Sequence, residues 1–165
     1  MKTLFIGGIK SGKSLNAEKY ILQFTKHTLP LYLATTEFFD EGMKKRVREH
    51  QKQRAHNFMT HEEGVHIYEV IKNHEGAVLV ECVSMWINNM LYHQKNYEQI
   101  QEEIANILAL DKDIVFVLND VGGGVIPENA LAREFVDISG KVSQQIAQGC
   151  DEVFHCIASI GTKIK

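Results

Sequence analysis

Near its amino terminus the chain carries Gly7-Gly8-Ile9-Lys10-Ser11-Gly12-Lys13-Ser14, a full match to the pattern G-x-x-x-x-G-K-[ST]. No other stretch restricts the possible folds as much. Glycines in such a loop let backbone N–H groups turn inward around phosphate oxygens. The lysine reaches the β- and γ-phosphates, and the closing hydroxyl ligates Mg²⁺. The arrangement works between a strand and a helix whose amino end faces the anion. Residues 3–6 read as a short buried strand and residues 15–26 as that helix. A glycine-rich turn that matched by chance would not need these flanks. The motif indicates nucleotide binding and leaves the reaction open.

Five short apolar runs, residues 3–6, 31–34, 77–80, 114–118 and 153–157, are rich in Val, Ile and Leu and mostly do not alternate with polar residues. Strands buried on both faces have that pattern. Helical stretches separate them, so the expected fold class is α/β, a mainly parallel sheet flanked by helices as in phosphate-loop NTPases. No linker, repeat or low-complexity tract breaks the 165 residues. One nucleotide-binding catalytic domain over residues 1–165 is therefore expected.

A formal net charge of −3 excludes a broad basic surface for nucleic acid. No apolar run is long enough for a transmembrane helix, so no membrane insertion is expected. The first strand begins at once, which leaves no room for a removable signal. The three cysteines form no C-x-x-C pair, and Cys82 and Cys156 fall in apolar, strand-like runs. They read as small buried hydrophobes of a reduced, cytoplasmic protein.

Ligands of open α/β sheets bind beyond the carboxyl ends of the strands. Thr35 and Thr36, which follow the second strand, are thus either walls of the nucleotide site or turn residues. Asp40 can cap a helix running to about Arg54, on which Arg46, His50 and Arg54 stand four apart and share a face. Two arginines beside a histidine disfavour its protonation, and a neutral imidazole next to bound phosphates can attack phosphorus. Spacing alone favours the plainer reading, a solvated basic face with a bystander histidine. His56, His61 and His66 fit no zinc pattern.

Glu81 ends the third apolar run. An acid at this place in phosphate-loop proteins commonly holds Mg²⁺ or its water, and it could equally cap a helix. Asn119-Asp120 follow the fourth run and lead into Gly122-Gly123-Gly124, a loop whose backbone could approach a ligand closely. Pro127 suits the first turn of a helix and Glu128 its positive end. Leu131, Phe135, Ile138, Val142 and Ile146 then mark one apolar stripe, expected in the core. Arg133 and Asp137 share another face and could pair.

Taken together, these pieces resemble one family. The loop at residues 7–14, Arg46-x-x-x-His50, Glu81-Cys82-Val83-Ser84-Met85-Trp86 with Asn89, and Asn119-Asp120-Val121-Gly122-Gly123-Gly124-Val125-Ile126-Pro127 all fit it. So do Leu131-Ala132-Arg133-x-Phe135-x-Asp137-x-x-Gly140 and the ending Gly161-Thr162-Lys163-Ile164-Lys165. The sequence resembles the bifunctional adenosylcobinamide kinase/adenosylcobinamide-phosphate guanylyltransferases of cobalamin biosynthesis, in order and over nearly the whole chain. The resemblance implies a recombination-protein-like (RecA-like) NTPase fold and a homotrimer with sites near subunit boundaries. It also implies two reactions. A nucleoside triphosphate phosphorylates the aminopropanol hydroxyl of adenosylcobinamide. GTP then gives GMP to a histidine, matched here by His50, and the phosphate of adenosylcobinamide phosphate displaces that histidine to give adenosylcobinamide-GDP.

The implied set is His50 and Lys13 as catalytic residues, with Ser14 and Glu81 on Mg²⁺. Nucleotide binding falls to Gly7, Gly8, Ile9, Lys10, Ser11, Gly12, Lys13, Ser14, Thr35, Thr36, Arg46, Arg54, Glu62, Glu81 and Asp120. GTP is the implied nucleotide, with ATP an alternative donor in the kinase step. The chain departs from the family's usual residues in several places. Lys10 stands for Arg, which keeps the charge and loses the fork. Glu49 precedes His50 where some relatives carry a second histidine, Asp120 stands for Glu, Phe58 for Trp and Ser143 for Asn. A plain small-molecule kinase with His50 as bystander, and a slow nucleotide switch, are the competing readings.

Overall fold

The computed structural model describes residues 1–25, 28–37 and 56–165. Seven strands form one sheet in the order β3-β2-β4-β5-β1-β6-β7. They are β1 (Lys2–Gly7), β2 (Leu31–Ala34), β3 (Met59–Glu62), β4 (Val78–Glu81), β5 (Ile114–Asn119), β6 (Glu152–Ile157) and β7 (Ile160–Lys163). All neighbours run parallel except β7, which returns antiparallel along β6. The described helices are α1 (Lys13–Ile21), α2 (Ile67–Asn73), α3 (Val83–Tyr92), α4 (Tyr97–Ala109) and α5 (Ala130–Gly149).

The central strands β2, β4 and β5 are mostly apolar because both faces are covered, with Glu81 and Asn119 at the carboxyl ends of β4 and β5. Successive side chains of a strand point to opposite faces, and the core divides accordingly. Leu31, Leu33, Val78, Val80, Ile114, Phe116 and Leu118 pack with residues of α2, α3, α4 and α5, among them Ile71, Trp86, Ile104 and Val142. Tyr32, Leu79, Val115 and Val117 face the other way, against Ala17 and Ile21 of α1.

Several element limits differ from the sequence reading. Five strands were expected, and seven form among the described residues. The additional β3 and β7, Met-Thr-His-Glu and Ile-Gly-Thr-Lys, are exposed along their length. Edge strands of this kind need no apolar run, because only one side pairs. Helix α1 begins at Lys13 and ends at Ile21, shorter than residues 15–26.

Pro127 lies outside α5 rather than in its first turn. The cap is Asn129, whose side chain accepts from the N–H of Ala132 at 3.1 Å. Leu131, expected in the core, is 74% exposed, whereas Ile138, Val142 and Ile146 are buried. The stripe therefore reaches the core only after the first turn of α5. Arg133 donates to the carbonyls of Pro127 at 2.9 Å and Glu128 at 2.5 Å, which ties the helix to the loop before it.

Two helix ends show how the local sequence sets the limits. Asn96 and Gln99 form a reciprocal capping box at α4, with both bonds at 3.0 Å. At the end of α5, the Lys165 ammonium donates to the carbonyls of Ala147 at 2.9 Å, Gln148 at 3.0 Å and Cys150 at 2.6 Å. These are carbonyls that a helix terminus leaves without intrahelical donors. All three cysteines are free and buried.

Candidate active site

The loop between β1 and α1 folds as its glycines allow. A β-carbon on Gly7 would lie 2.5 Å from the Cys156 carbonyl oxygen, so only glycine fits. Gly12 sits at φ +87°, in the left-handed region, and hands the chain directly into α1. The Ser11 N–H donates to the Gly8 carbonyl at 3.2 Å and closes the turn. The Lys13 side chain, 7% exposed, reaches back over the loop and donates to the same carbonyl at 3.1 Å. Helix α1 has no side-chain cap and no acid in its first turn. Its first N–H groups and its positive end are thus left for an anion.

Ser14 and Glu81 meet across the sheet. The Ser14 hydroxyl donates to Glu81 Oε1 at 2.8 Å, although β5 lies between β1 and β4 in the sheet. A hydroxyl and a carboxylate beside a phosphate loop are hard oxygen donors. They suit Mg²⁺, which keeps several waters and takes its other ligands from phosphate. Among the described residues no group of three or more His, Cys, Asp or Glu could hold a metal. Burial pushes the Cys82 thiol above its usual range and the Glu81 carboxylate adds to the shift. Burial raises Cys156 likewise. Neither is a thiolate near neutral pH.

The carboxyl ends of β2, β3 and β4 are braced by buried polar groups. Thr35 is wholly buried. Its hydroxyl donates to the Cys82 carbonyl at 2.8 Å and accepts from the Cys82 N–H at 2.9 Å. Its side chain therefore joins the end of β2 to that of β4 through the backbone of Cys82. Asn89, also wholly buried, donates to the carbonyls of Thr35 at 2.6 Å and Gly64 at 3.0 Å. Thr36 and Glu62 come together in a cavity of about 520 Å³ at the ends of β2 and β3, with Glu37, Glu63 and His93 in its wall. His93 Nε2 lies 2.9 Å from Glu37 Oε2. Burial raises the Glu63 carboxyl, but the N–H groups of Val65 and His66 more than offset this and hold it below the usual range.

Asp120 is exposed at the end of β5. Its N–H donates to the Gly7 carbonyl at 2.9 Å, and its carboxylate accepts from the Gly122 N–H at 3.2 Å. The loop beyond it exposes Val125 (95%) and Ile126 (78%). Gly8, Ile9 and Lys10 are exposed at the tip of the phosphate loop. Arg46, His50 and Arg54, and Asp40 with the helix expected to follow it, lie outside the described residues.

Two residues that the sequence reading passed over brace the loop. Asn16 donates through Nδ2 to the Gly12 carbonyl at 2.9 Å and to the Ser159 carbonyl at 3.1 Å. The Ser159 N–H donates to the Ser11 carbonyl at 2.8 Å. Neither carries a sequence signal, since an Asn in a helix and a Ser near a chain end are ordinary. Only the fold brings them together.

Comparison with known proteins agrees with this geometry. The family model described as cobinamide kinase / cobinamide phosphate guanyltransferase matches residues 3–164. The bifunctional adenosylcobalamin biosynthesis protein CobU of Escherichia coli is 35% identical over 184 residues, covering 100% of each chain. The protein of the same name from Salmonella typhimurium is 34% identical, again over 100% of each chain. CobP of Pseudomonas aeruginosa, with the same bifunctional description, is 30% identical over 100% of this chain and 98% of that one. Among solved structures, the flagellar accessory protein FlaH of Methanocaldococcus jannaschii superposes with a TM-score of 0.51 at 14% identity, covering 93% of this chain and 70% of that one. An ATPase domain superposes with a TM-score of 0.51 at 13% identity. These two likenesses speak for the phosphate-loop NTPase fold alone.

Proposed function

The chain belongs to the cobinamide kinase / cobinamide phosphate guanyltransferase family, and on that premise we propose how its residues divide the work. The protein has kinase and guanylyltransferase activity in cobinamide processing. In the first reaction the aminopropanol hydroxyl of adenosylcobinamide attacks the γ-phosphorus of a nucleoside triphosphate. The bond to the bridging oxygen breaks and a nucleoside diphosphate leaves. In the second, an imidazole nitrogen of His50 attacks the α-phosphorus of GTP and pyrophosphate leaves. A phosphate oxygen of adenosylcobinamide phosphate then attacks the guanylyl phosphorus, the P–N bond breaks, and adenosylcobinamide-GDP forms.

One observation supports the phosphate-binding half of this reading: Lys13, Ser14 and Glu81 stand around a loop whose helix end is uncapped. There is little covalent chemistry for a protein to perform in phosphoryl transfer, so positioning and charge do most of it. The loop N–H groups and Lys13 hold the phosphates in both reactions. Magnesium, held by Ser14 and Glu81, would neutralise charge on the phosphate oxygens. Thr36 and Glu62 line the nucleotide side of the cavity beyond β2 and β3, and Arg46 and Arg54 hold phosphates beside His50. Asp120 stands at the edge next to Gly7. GTP serves the second step, and either ATP or GTP the first.

The catalytic unit is the single domain 1–165, assembled as a homotrimer in the cytoplasm. The exposed Val125, Ile126 and Leu131 supply apolar surface of the kind a neighbouring subunit covers. Free buried thiols suit a reducing compartment.

The test follows both transfers in one preparation. Purified protein with Mg²⁺ and adenosylcobinamide is expected to accept label from γ-labelled nucleotide. With α-labelled GTP it is expected to form an acid-labile protein adduct that adenosylcobinamide phosphate discharges. Phosphorylation without an adduct would reduce the protein to a kinase. Light scattering on the same sample is expected to give three times the chain mass, and a monomer mass would exclude the trimer.

A further inference from the structure

The turn joining β6 to β7 is seated on the phosphate loop. Ile157 pairs with Ile160, so Ala158 and Ser159 are the two central residues of a hairpin turn. Both have positive φ, 49° and 67°. Positive φ at both positions marks the type I′ turn, where Asn-Gly or Gly-Gly is the usual choice because other side chains are strained there. Neither residue is of that kind here, yet the conformation is held. Strain of this sort persists where surrounding structure over-determines it, and it clusters at functional sites.

The surrounding structure is the phosphate loop itself. The Ser159 N–H donates to the Ser11 carbonyl at 2.8 Å. The Ser159 carbonyl accepts from Asn16 Nδ2 at 3.1 Å, and the same nitrogen donates to the Gly12 carbonyl at 2.9 Å. A β-carbon on Gly12 would lie 2.6 Å from Ser159 Cα, so the two backbones touch. Strand β7 is otherwise exposed along its length and adds little to the core.

These contacts set the direction of one peptide group. A trans peptide is planar, and its C=O and N–H point opposite ways. With the Ser11 carbonyl turned toward Ser159, the Gly12 N–H is turned away from the hairpin. We propose that Ser159 is a positioning residue of the nucleotide site: its backbone N–H holds the Ser11–Gly12 peptide so that the Gly12 N–H is presented to the phosphates of a bound nucleotide. The inference rests on reading residues 7–14 as the phosphate site, and it is independent of the corrinoid substrate.

Two double variants separate positioning from mere turn stability. Ala158→Asn/Ser159→Gly supplies the residues a type I′ turn prefers and keeps the N–H at 159. Ala158→Gly/Ser159→Pro supplies a glycine that suits a type II′ turn and removes that N–H. Binding of a non-hydrolysable GTP analogue with Mg²⁺ is measured by calorimetry, alongside thermal unfolding. The first variant is expected to bind as wild type with a higher Tm. The second is expected to bind about tenfold more weakly, the scale of a lost hydrogen bond in a preorganised site, while still unfolding cooperatively.

Wild-type affinity in the proline variant would overturn the inference and leave the phosphate-site reading intact. Absence of binding by the wild type would overturn both. Should the proline variant not fold, amide exchange at Ser159 in the wild type decides. Slower exchange on adding the analogue supports the coupling, and unchanged exchange overturns it.

Discussion

Lys13→Ala is expected to slow both transfers by about 10²–10³-fold, the usual cost of removing one preorganised donor from a developing charge. The apo fold is expected to survive. Lys13 is 7% exposed, and its ammonium has the Gly8 carbonyl at 3.1 Å as acceptor. Such a hydrogen bond contributes about 1.5–3 kcal/mol, while burying the charge costs several kcal/mol. Deleting both together leaves the free protein about as stable as before.

The nucleotide-bound protein behaves differently. Ligand at about 100 times its Kd stabilises the wild type by roughly 2.7 kcal/mol, which at this chain length raises Tm by roughly 5–10 °C. The variant is expected to lose most of that shift, and Lys13→Arg to recover little of it because a planar fork replaces a point charge. Differential scanning with and without Mg²⁺ and GTP reads all three proteins. A variant with the full wild-type shift would mean that Lys13 does not touch the phosphates.

What the sequence made legible follows burial. Strands covered on both faces are largely apolar, so β1, β2, β4, β5 and β6 stand out as short runs of mostly apolar residues. Edge strands have no such requirement, and β3 and β7 left no pattern to find. The phosphate loop was legible because its chemistry depends on residue type at fixed spacing, whereas the Ser14–Glu81 contact at 2.8 Å joins two residues 67 apart that only the fold brings together.

Thr35 stayed open between two readings for a different reason. A hydroxyl past a strand end is equally suited to ligand or backbone, and the choice is made by Cys82, 47 residues away in sequence. Leu131 misled because helical periodicity tells which side chains share a face, not where along the helix the core begins. Asn16 and Ser159 were invisible because their role depends on two residues 143 apart in sequence coming together.

His50→Ala is expected to abolish the acid-labile GMP adduct while leaving phosphorylation of adenosylcobinamide close to the wild-type rate. The argument is chemical. Once protonated, imidazole is a good leaving group from phosphorus, so a histidine can accept GMP and release it again, whereas alanine offers no nucleophile. Kinase chemistry occurs at the γ-phosphorus with the substrate hydroxyl as nucleophile, and the residues proposed to support it, Lys13, Ser14 and Glu81, are unchanged in this variant.

Arg46 and Arg54 stand four residues to either side of His50 in the sequence. Their replacement by alanine is expected to weaken adduct formation without abolishing it, since each contributes charge and neither supplies the attacking atom. The contrast between the three variants separates nucleophile from clamp. Labelling with α-labelled GTP, acid treatment and peptide mapping reads the adduct, and γ-label transfer reads the kinase. Should the His50→Ala protein retain the adduct, another residue is the nucleophile and the histidine is a bystander on a basic face. Should it lose phosphorylation as well, the two reactions share more of one site than separate roles for Lys13 and His50 allow.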